Sequence, residues 1–406
     1  SEMCIRDRPN TFPSTGTLEA LRLKQAAATA SYVDFGIHGL LGDESIDLLP
    51  QLLEAGVTSF KAFVGNTFGN LPPPSDGALL EGFEILAPLG IRTVVHAENS
   101  SILSRRQSRL EAAGRIDALA HLEARPSICE IEAISRVLNL AEWTGARVHI
   151  AHHSSADSLD IVRQAKRRGV DVTVETCPQY LLLNTDHMLK LGGVMRVNPP
   201  VREKRHNQPL WDALKEGVID MIATDHAPHT PEEKMRESIW ACDCGFPGVE
   251  TQMPLMLTQV NQERLTLQEY VKWSSVNPAK AWGLYGEKGV IKVGALADIV
   301  LVDMNRVGLL NQGKLQSISK ISPWNGRPVK GAPVHTLVRG RFVMRDGRLV
   351  QEASGWGKSV KSFQRMPKPQ PLHQEHYIRN VLSTPTGIPQ NALMTNDSAS
   401  VWSQND

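Results

Sequence analysis

The chain has 406 residues, with 44 basic and 43 acidic side chains, 41% apolar residues and a formal net charge of +1. That balance leaves no field to gather nucleic acid or an anionic membrane, and no apolar run reaches the roughly 18 residues of a membrane span. Five scattered cysteines, Cys4, Cys129, Cys177, Cys242 and Cys244, make a disulfide framework unexpected and point to a reduced, cytoplasmic setting.

In chain order, short runs rich in Val, Ile and Phe alternate with helical patterns. The runs are YVDFGIH (32–38), SFKAFVG (59–65), TVVHAEN (93–99), RVHIAHH (147–153), DVTVETC (171–177) and DMIATDH (220–226). Between them lie segments such as SIDLLPQLLEAG and EIEAISRVLNLAEWTG, apolar at helical spacing and closed by Gly. Repeated strand–helix units predict a parallel sheet, open or closed into a barrel. Polar groups at or just past the run ends, His38, Lys61, His96, His152, Thr176 and Asp225, favour the (β/α)8 barrel, whose strand ends converge on one site. After about residue 285, GVIKVGALADIVLVDMN and PVHTLVRGRFVMRDGRLV are β-runs without intervening helices and predict a small β-domain over 286–351. Residues 352–406, rich in Ser, Gln, Pro and Lys, read as an extended or disordered tail.

Several of these side chains can carry chemistry. Lys61 sits inside an apolar run, where an amine must be paired, neutralised or snorkelled to the strand end. A lysine carboxylated by CO2 is the functional reading, because burial near cations favours the unprotonated amine. His96 and His152 stand at two strand ends, whereas His149, at odd spacing from His152, is expected on the other face. Imidazoles with a carboxylate suit zinc, or manganese or iron. Asp225 is either a helix cap or a metal ligand and proton shuttle. Cys242 and Cys244 form a C-x-C without the second pair of a soft-metal site.

The strings PNTFPST, SFKAFVG, VVHAEN, HIAHHSS, VETCPQYL, RVNPPVRE, IATDHAPHTPEEK, GFPGVET, NPAKAWGLY and GALADIVLVD occur in that order. Over residues 9–350 this set resembles the cyclic amidohydrolases, meaning the dihydroorotases, allantoinases and hydantoinases. The resemblance implies a (β/α)8 barrel over 9–285 with a small β-sandwich, and two divalent metals, zinc by preference, bridged by carboxylated Lys61. It implies His96 and His152 as ligands of one metal, and Asp225 as ligand of the other and as acid and base. Asn10, Asn198, His229, Cys244 and Gly245 match substrate-contacting positions. A small cyclic amide is the implied substrate, opened by a metal-activated hydroxide, and a homo-oligomer, dimer or tetramer, is expected.

Dihydroorotate is the first expectation, from HAPHTPEEK and GFPGVET. VETCPQYL, with Gln179 where dihydroorotases tend to show histidine, resembles allantoinases and hydantoinases instead. A non-catalytic scaffold homologue is a further alternative, against which the retained Lys61, His96, His152 and Asp225 argue. None of the 13 histidines stands in the H-x-H that this family carries ahead of the PNT motif, and SEMCIRDR has little β character. The expectation is therefore that residues 1–8 are non-native and that the first barrel strand, most of the second and half the β-sandwich are missing. A chain so truncated is expected to hold at most one metal, to dissolve poorly and to be inactive.

Overall fold

In a computed structural model of the chain, residues 13–66 and 71–360 are described. Asn10, Cys4, the segment 1–8 and positions 361–406 of the tail lie outside them.

Six parallel strands pair in sequential order: β1 (His38–Leu40), β2 (Ser59–Phe63), β3 (Arg92–His96), β4 (Arg147–Ile150), β5 (Val172–Thr176) and β6 (Met221–Ile222). Helices such as Asp76–Leu86, Ile128–Thr144, Leu159–Arg167 and Asn207–Glu216 connect them, as right-handed crossovers require. This is the strand–helix repeat of a TIM-type barrel. The helix Ile128–Thr144 forms because Ala133, Ile134, Val137, Leu138 and Ala141 make one buried stripe, and it stops at Gly145, whose φ is 69°. Phe60, Ala62, Val95, Val148, Ile150 and Val174 pack outward against helix residues such as Leu79, Phe83, Ile134 and Val137 in one core.

The inward face carries polar groups. Lys61, Val94, His149 and Thr173 share one register level across β2 to β5. His149 therefore lies on the same face as Lys61, not on the opposite one. Counting by twos toward His152 misleads because His152 lies beyond the end of β4, with φ 38°. His38, expected at a strand end, instead opens β1, where its Nδ1 is 2.5 Å from Ser59 Oγ.

At the opposite, N-terminal end the barrel is floored by charge. Asp171 Oδ1 accepts from Arg92 Nη2 at 2.7 Å, and Asp171 Oδ2 from Arg147 Nε at 2.7 Å. Arg92 also donates to the carbonyls of Ala281 (3.1 Å) and Val148 (2.8 Å).

The second sheet is antiparallel, in the order β10–β9–β8–β7, from β7 (Ile299–Leu309), β8 (Pro328–Val338), β9 (Arg341–Arg345) and β10 (Arg348–Leu349). Asp346 and Gly347, with φ of 52° and 74°, make the tight turn between β9 and β10. The sheet lies on the helix Val249–Asn261, whose Asn261 Nδ2 donates to the carbonyls of Met304 and Lys330, both at 3.0 Å. A buried ion network ties the two parts: Lys288 pairs with Asp34 at 2.7 Å and with Asp298, and Arg339 pairs with Asp34. Residues 352–360, at the start of the stretch read as a tail, pack here too. Trp356 has the Arg339 and Arg341 guanidinia 4.8 and 5.0 Å from its ring centroid and donates from Nε1 to Val338 O at 2.7 Å.

Candidate active site

The C-terminal strand ends collect the side chains singled out above. Lys61 stands in the middle of β2 and is 9% exposed; His96 ends β3. His152 follows β4 by two residues, and Asp225 follows β6 by three, with φ of 38° and 47°. A left-handed backbone costs a non-glycine residue roughly 1–2 kcal/mol, and His, Asn and Asp tolerate it best. Strain at two ligand candidates is the kind that surrounding structure maintains at functional sites.

His96 Nδ1 lies 3.0 Å from His152 Nε2, with the rings edge to face at 4.7 Å. The other nitrogen of His96, Nε2, is 2.9 Å from Glu98 Oε2. Glu98 is fully buried and also takes Arg125 Nη1 at 2.5 Å, while Arg125 Nη2 donates to Asn66 O at 2.7 Å. Burial alone would raise the Glu98 carboxyl, but Arg125 and His96 outweigh it and hold it down at about 2. Burial lowers His96 more than Glu98 raises it. His96 is thus a neutral imidazole whose proton belongs on Nε2, against Glu98, leaving Nδ1 as the bare nitrogen.

Below this pair, Glu175 bridges the layers. Its Oε1 accepts from His152 N at 3.2 Å, and its Oε2 is 3.1 Å from His149 Nε2. Burial pushes the Glu175 carboxyl up, and His149 and Lys61 bring it below its ordinary value. Burial, then Lys61 and His149, lower His38 to about 3, so it is neutral.

The roof is a loop system. Asn198 is 8% exposed, and the Tyr180 hydroxyl donates to Pro199 O at 2.8 Å. Burial and then the Asp225 charge push that hydroxyl well up. His229 Nε2 donates to Cys244 O at 3.1 Å, and Gly245 N to Arg196 O at 2.8 Å. A Cβ on Gly245, at φ 122°, would fall 2.2 Å from Ala227 Cβ, so only glycine lets these loops meet.

The structure therefore brings His96 and His152 into contact and places the Lys61 charge where His96 and Glu175 feel it. His229, Cys244 and Gly245 are joined in the roof. Among the described residues Cys129, Cys177, Cys242 and Cys244 are not joined in disulfides, and no helix is long and apolar enough to cross a membrane. Sequence reasoning missed Glu98, Arg125, Glu175 and Tyr180. An acid two residues after a strand-end histidine, as in VVHAEN, is the signal that could have found Glu98.

The donor set fits a divalent cation. Two imidazole nitrogens at 3.0 Å converge on one point, the tautomer of His96 is fixed from behind by a carboxylate, and a buried lysine lies on the same face.

The model of the amidohydrolase family matches residues 48–343. The chain is 37% identical over 361 residues to the L-hydantoinase of Paenarthrobacter aurescens, covering 88% of this chain and 79% of the relative. It is 34% identical to the allantoinase of Rubrobacter xylanophilus, covering 87% and 78%. Among solved structures, the L-hydantoinase (dihydropyrimidinase) from Arthrobacter aurescens superposes with a TM-score of 0.84 at 36% identity, covering 87% of this chain and 80% of that one.

Proposed function

Because the chain belongs to the amidohydrolase family, a metal-dependent family, we propose that it hydrolyses a cyclic amide, namely the ring of a 5-substituted hydantoin. Dihydroorotate, the first expectation from the sequence, gives way here. The similar relatives are a hydantoinase and an allantoinase, and Gln179 stands where dihydroorotases tend to show histidine.

One observation carries the choice of an uncharged ring substituent. Dihydroorotate bears an exocyclic carboxylate that needs a cationic partner. Among the described residues, Arg125 is paired with Glu98 and Arg202 with Glu130 at 2.5 Å, and Arg196 turns its Nη1 to the carbonyls of Trp240 (2.9 Å) and Cys242. Allantoin, a hydantoin with a neutral ureido group, is the second reading, favoured by the allantoinase similarity.

His96 Nδ1 and His152 Nε2 would hold one cation together with Lys61, and Lys61 with Asp225 would offer two of the ligands of a second. Lys61 would do so as a carbamate, formed when its unprotonated amine attacks CO2 and one proton is released. The cations would supply Lewis acidity toward the ring carbonyl and make water acidic enough to attack near neutral pH. Asp225 takes the proton from the attacking water and delivers it to the ring nitrogen as the C–N bond breaks. The product is the N-carbamoyl amino acid. Asn198 and the Cys244–Gly245 backbone line the ring.

The test is turnover, and calorimetric binding, of both enantiomers of a 5-substituted hydantoin, of allantoin and of dihydroorotate. Hydantoin should be preferred over dihydroorotate by at least about tenfold, or about 1.4 kcal/mol. Preference for dihydroorotate would overturn the reading.

A further inference from the structure

We propose that the roof carries a separate divalent-cation site, formed by His229 Nδ1, Glu233 Oε2 and Asp243 Oδ2. It uses none of the four metal-ligand candidates Lys61, His96, His152 and Asp225, and it gives His229, matched above to a substrate contact, a cation to hold through Nδ1.

The three donor atoms lie within 4.8 Å of one another. His229 Nδ1 is 3.3 Å from Glu233 Oε2 and 3.7 Å from Asp243 Oδ2. Nitrogen and oxygen ligands bind zinc at about 2.0–2.2 Å, and two such bonds at a tetrahedral angle put the donors about 3.4 Å apart. The two separations from His229 Nδ1 bracket that edge, and the two carboxylate oxygens lie within 4.8 Å of each other, so closing round a cation would take a side-chain adjustment and no backbone rearrangement.

The tautomer of His229 is a second observation. Its Nε2 donates to Cys244 O at 3.1 Å, so in the neutral ring Nδ1 is the lone-pair nitrogen, and it faces two carboxylates. A histidine whose far N–H is held by a backbone carbonyl is the arrangement that metal-ligating imidazoles adopt. Burial lowers His229 more than Asp243 and Glu233 raise it, which favours the neutral ring.

The scaffold is fixed as well. Glu233 Oε2 accepts from Thr230 N at 2.8 Å, and Asp243 N donates to Glu233 O at 2.9 Å, so the two carboxylates are held side by side. Buried Lys234 turns the other way, donating from Nζ to Arg196 O at 2.8 Å and Asp243 O at 2.6 Å. All three ligands are partly exposed, which leaves room for water to complete the shell. One imidazole with two carboxylates selects a borderline cation such as zinc over a soft one. Bound there, it would lock the 229–243 loop and, through Cys244, the roof.

The test compares the full chain with the Glu233→Gln, Asp243→Asn variant, each stripped with a chelator and dialysed against micromolar free zinc. The variant should hold one zinc fewer per chain, and zinc should slow tryptic cleavage after Arg236 at least tenfold in the parent only. Equal zinc content in both would overturn the proposal. Nitrogen-15 NMR of the parent decides the matter should the variant fail to fold. Saturating zinc should leave His229 Nδ1 without a proton, whereas a protonated Nδ1 under zinc would mean that the cluster holds only an imidazolium ion pair.

Discussion

Nδ1 of His96 stands 3.0 Å from Nε2 of His152. Two ring nitrogens at that distance cannot both carry hydrogen, and two bare lone pairs would repel. The pair therefore calls for a shared proton or a shared cation, and Glu98 behind His96 decides which nitrogen is offered.

Glu98→Gln keeps the shape but removes the charge that orients His96 and neutralises Arg125. Loss of an outer-shell partner lowers metal affinity by about 10–100-fold, and an uncompensated buried charge costs about 3–5 kcal/mol. Equilibrium dialysis and thermal melting should register both losses, and unchanged zinc affinity would remove Glu98 from this role.

Lys61→Ala should retain the fold and lose metal together with activity, by about 10³-fold, or about 4 kcal/mol of barrier. Short carboxylic acids added with metal should restore part of it. Two tightly held metals in this variant would refute the carbamate.

For Asp225→Asn, the expected result is an intact fold with kcat lowered by about 10²–10⁴-fold, the usual contribution of general acid–base catalysis. A fall of less than about tenfold would assign the proton transfer elsewhere.

His152 separates backbone from ligand. At φ 38° asparagine is tolerated and valine is not, so His152→Val should unfold at lower urea than His152→Asn, by about 1–2 kcal/mol. Both should lose metal. Equal stabilities would mean that the left-handed backbone is not held.

Burial raises the Asp171 carboxyl, and Arg92 and Arg147 more than reverse this, leaving it below its ordinary value. A depressed carboxyl stabilises above its unfolded pKa of about 3.9 and loses that contribution as pH falls through the lower folded value. Asp171→Asn should cost about 1–3 kcal/mol at neutral pH and flatten the acid limb of stability. Parallel acid limbs for both proteins would contradict it.

The strand–helix alternation was legible because strands covered on both faces read as apolar runs, and a lysine or histidine inside such a run stands out. Lys61, His96 and His152 were singled out this way, and Asp225 as a carboxylate just past the run DMIAT. Their supporters were not. Arg125 comes from a helix end and Glu175 from a strand whose burial alternates, so no local pattern ties either to the site. His149 was assigned to the wrong face because period-two counting fails once the chain leaves the ladder with positive φ. The floor was readable in principle: RTVVH, RVHI and DVTVE each carry a charge at the strand start.

That floor has a consequence for register. Arg92 and Arg147 open β3 and β4, and Asp171 stands one residue before β5, so a single carboxylate clasps three successive strand starts. A slip of one residue in any of them would turn its side chains to the other face of the sheet and break the clasp. The cluster therefore acts as a register pin for the strands that carry His96, His149 and Glu175.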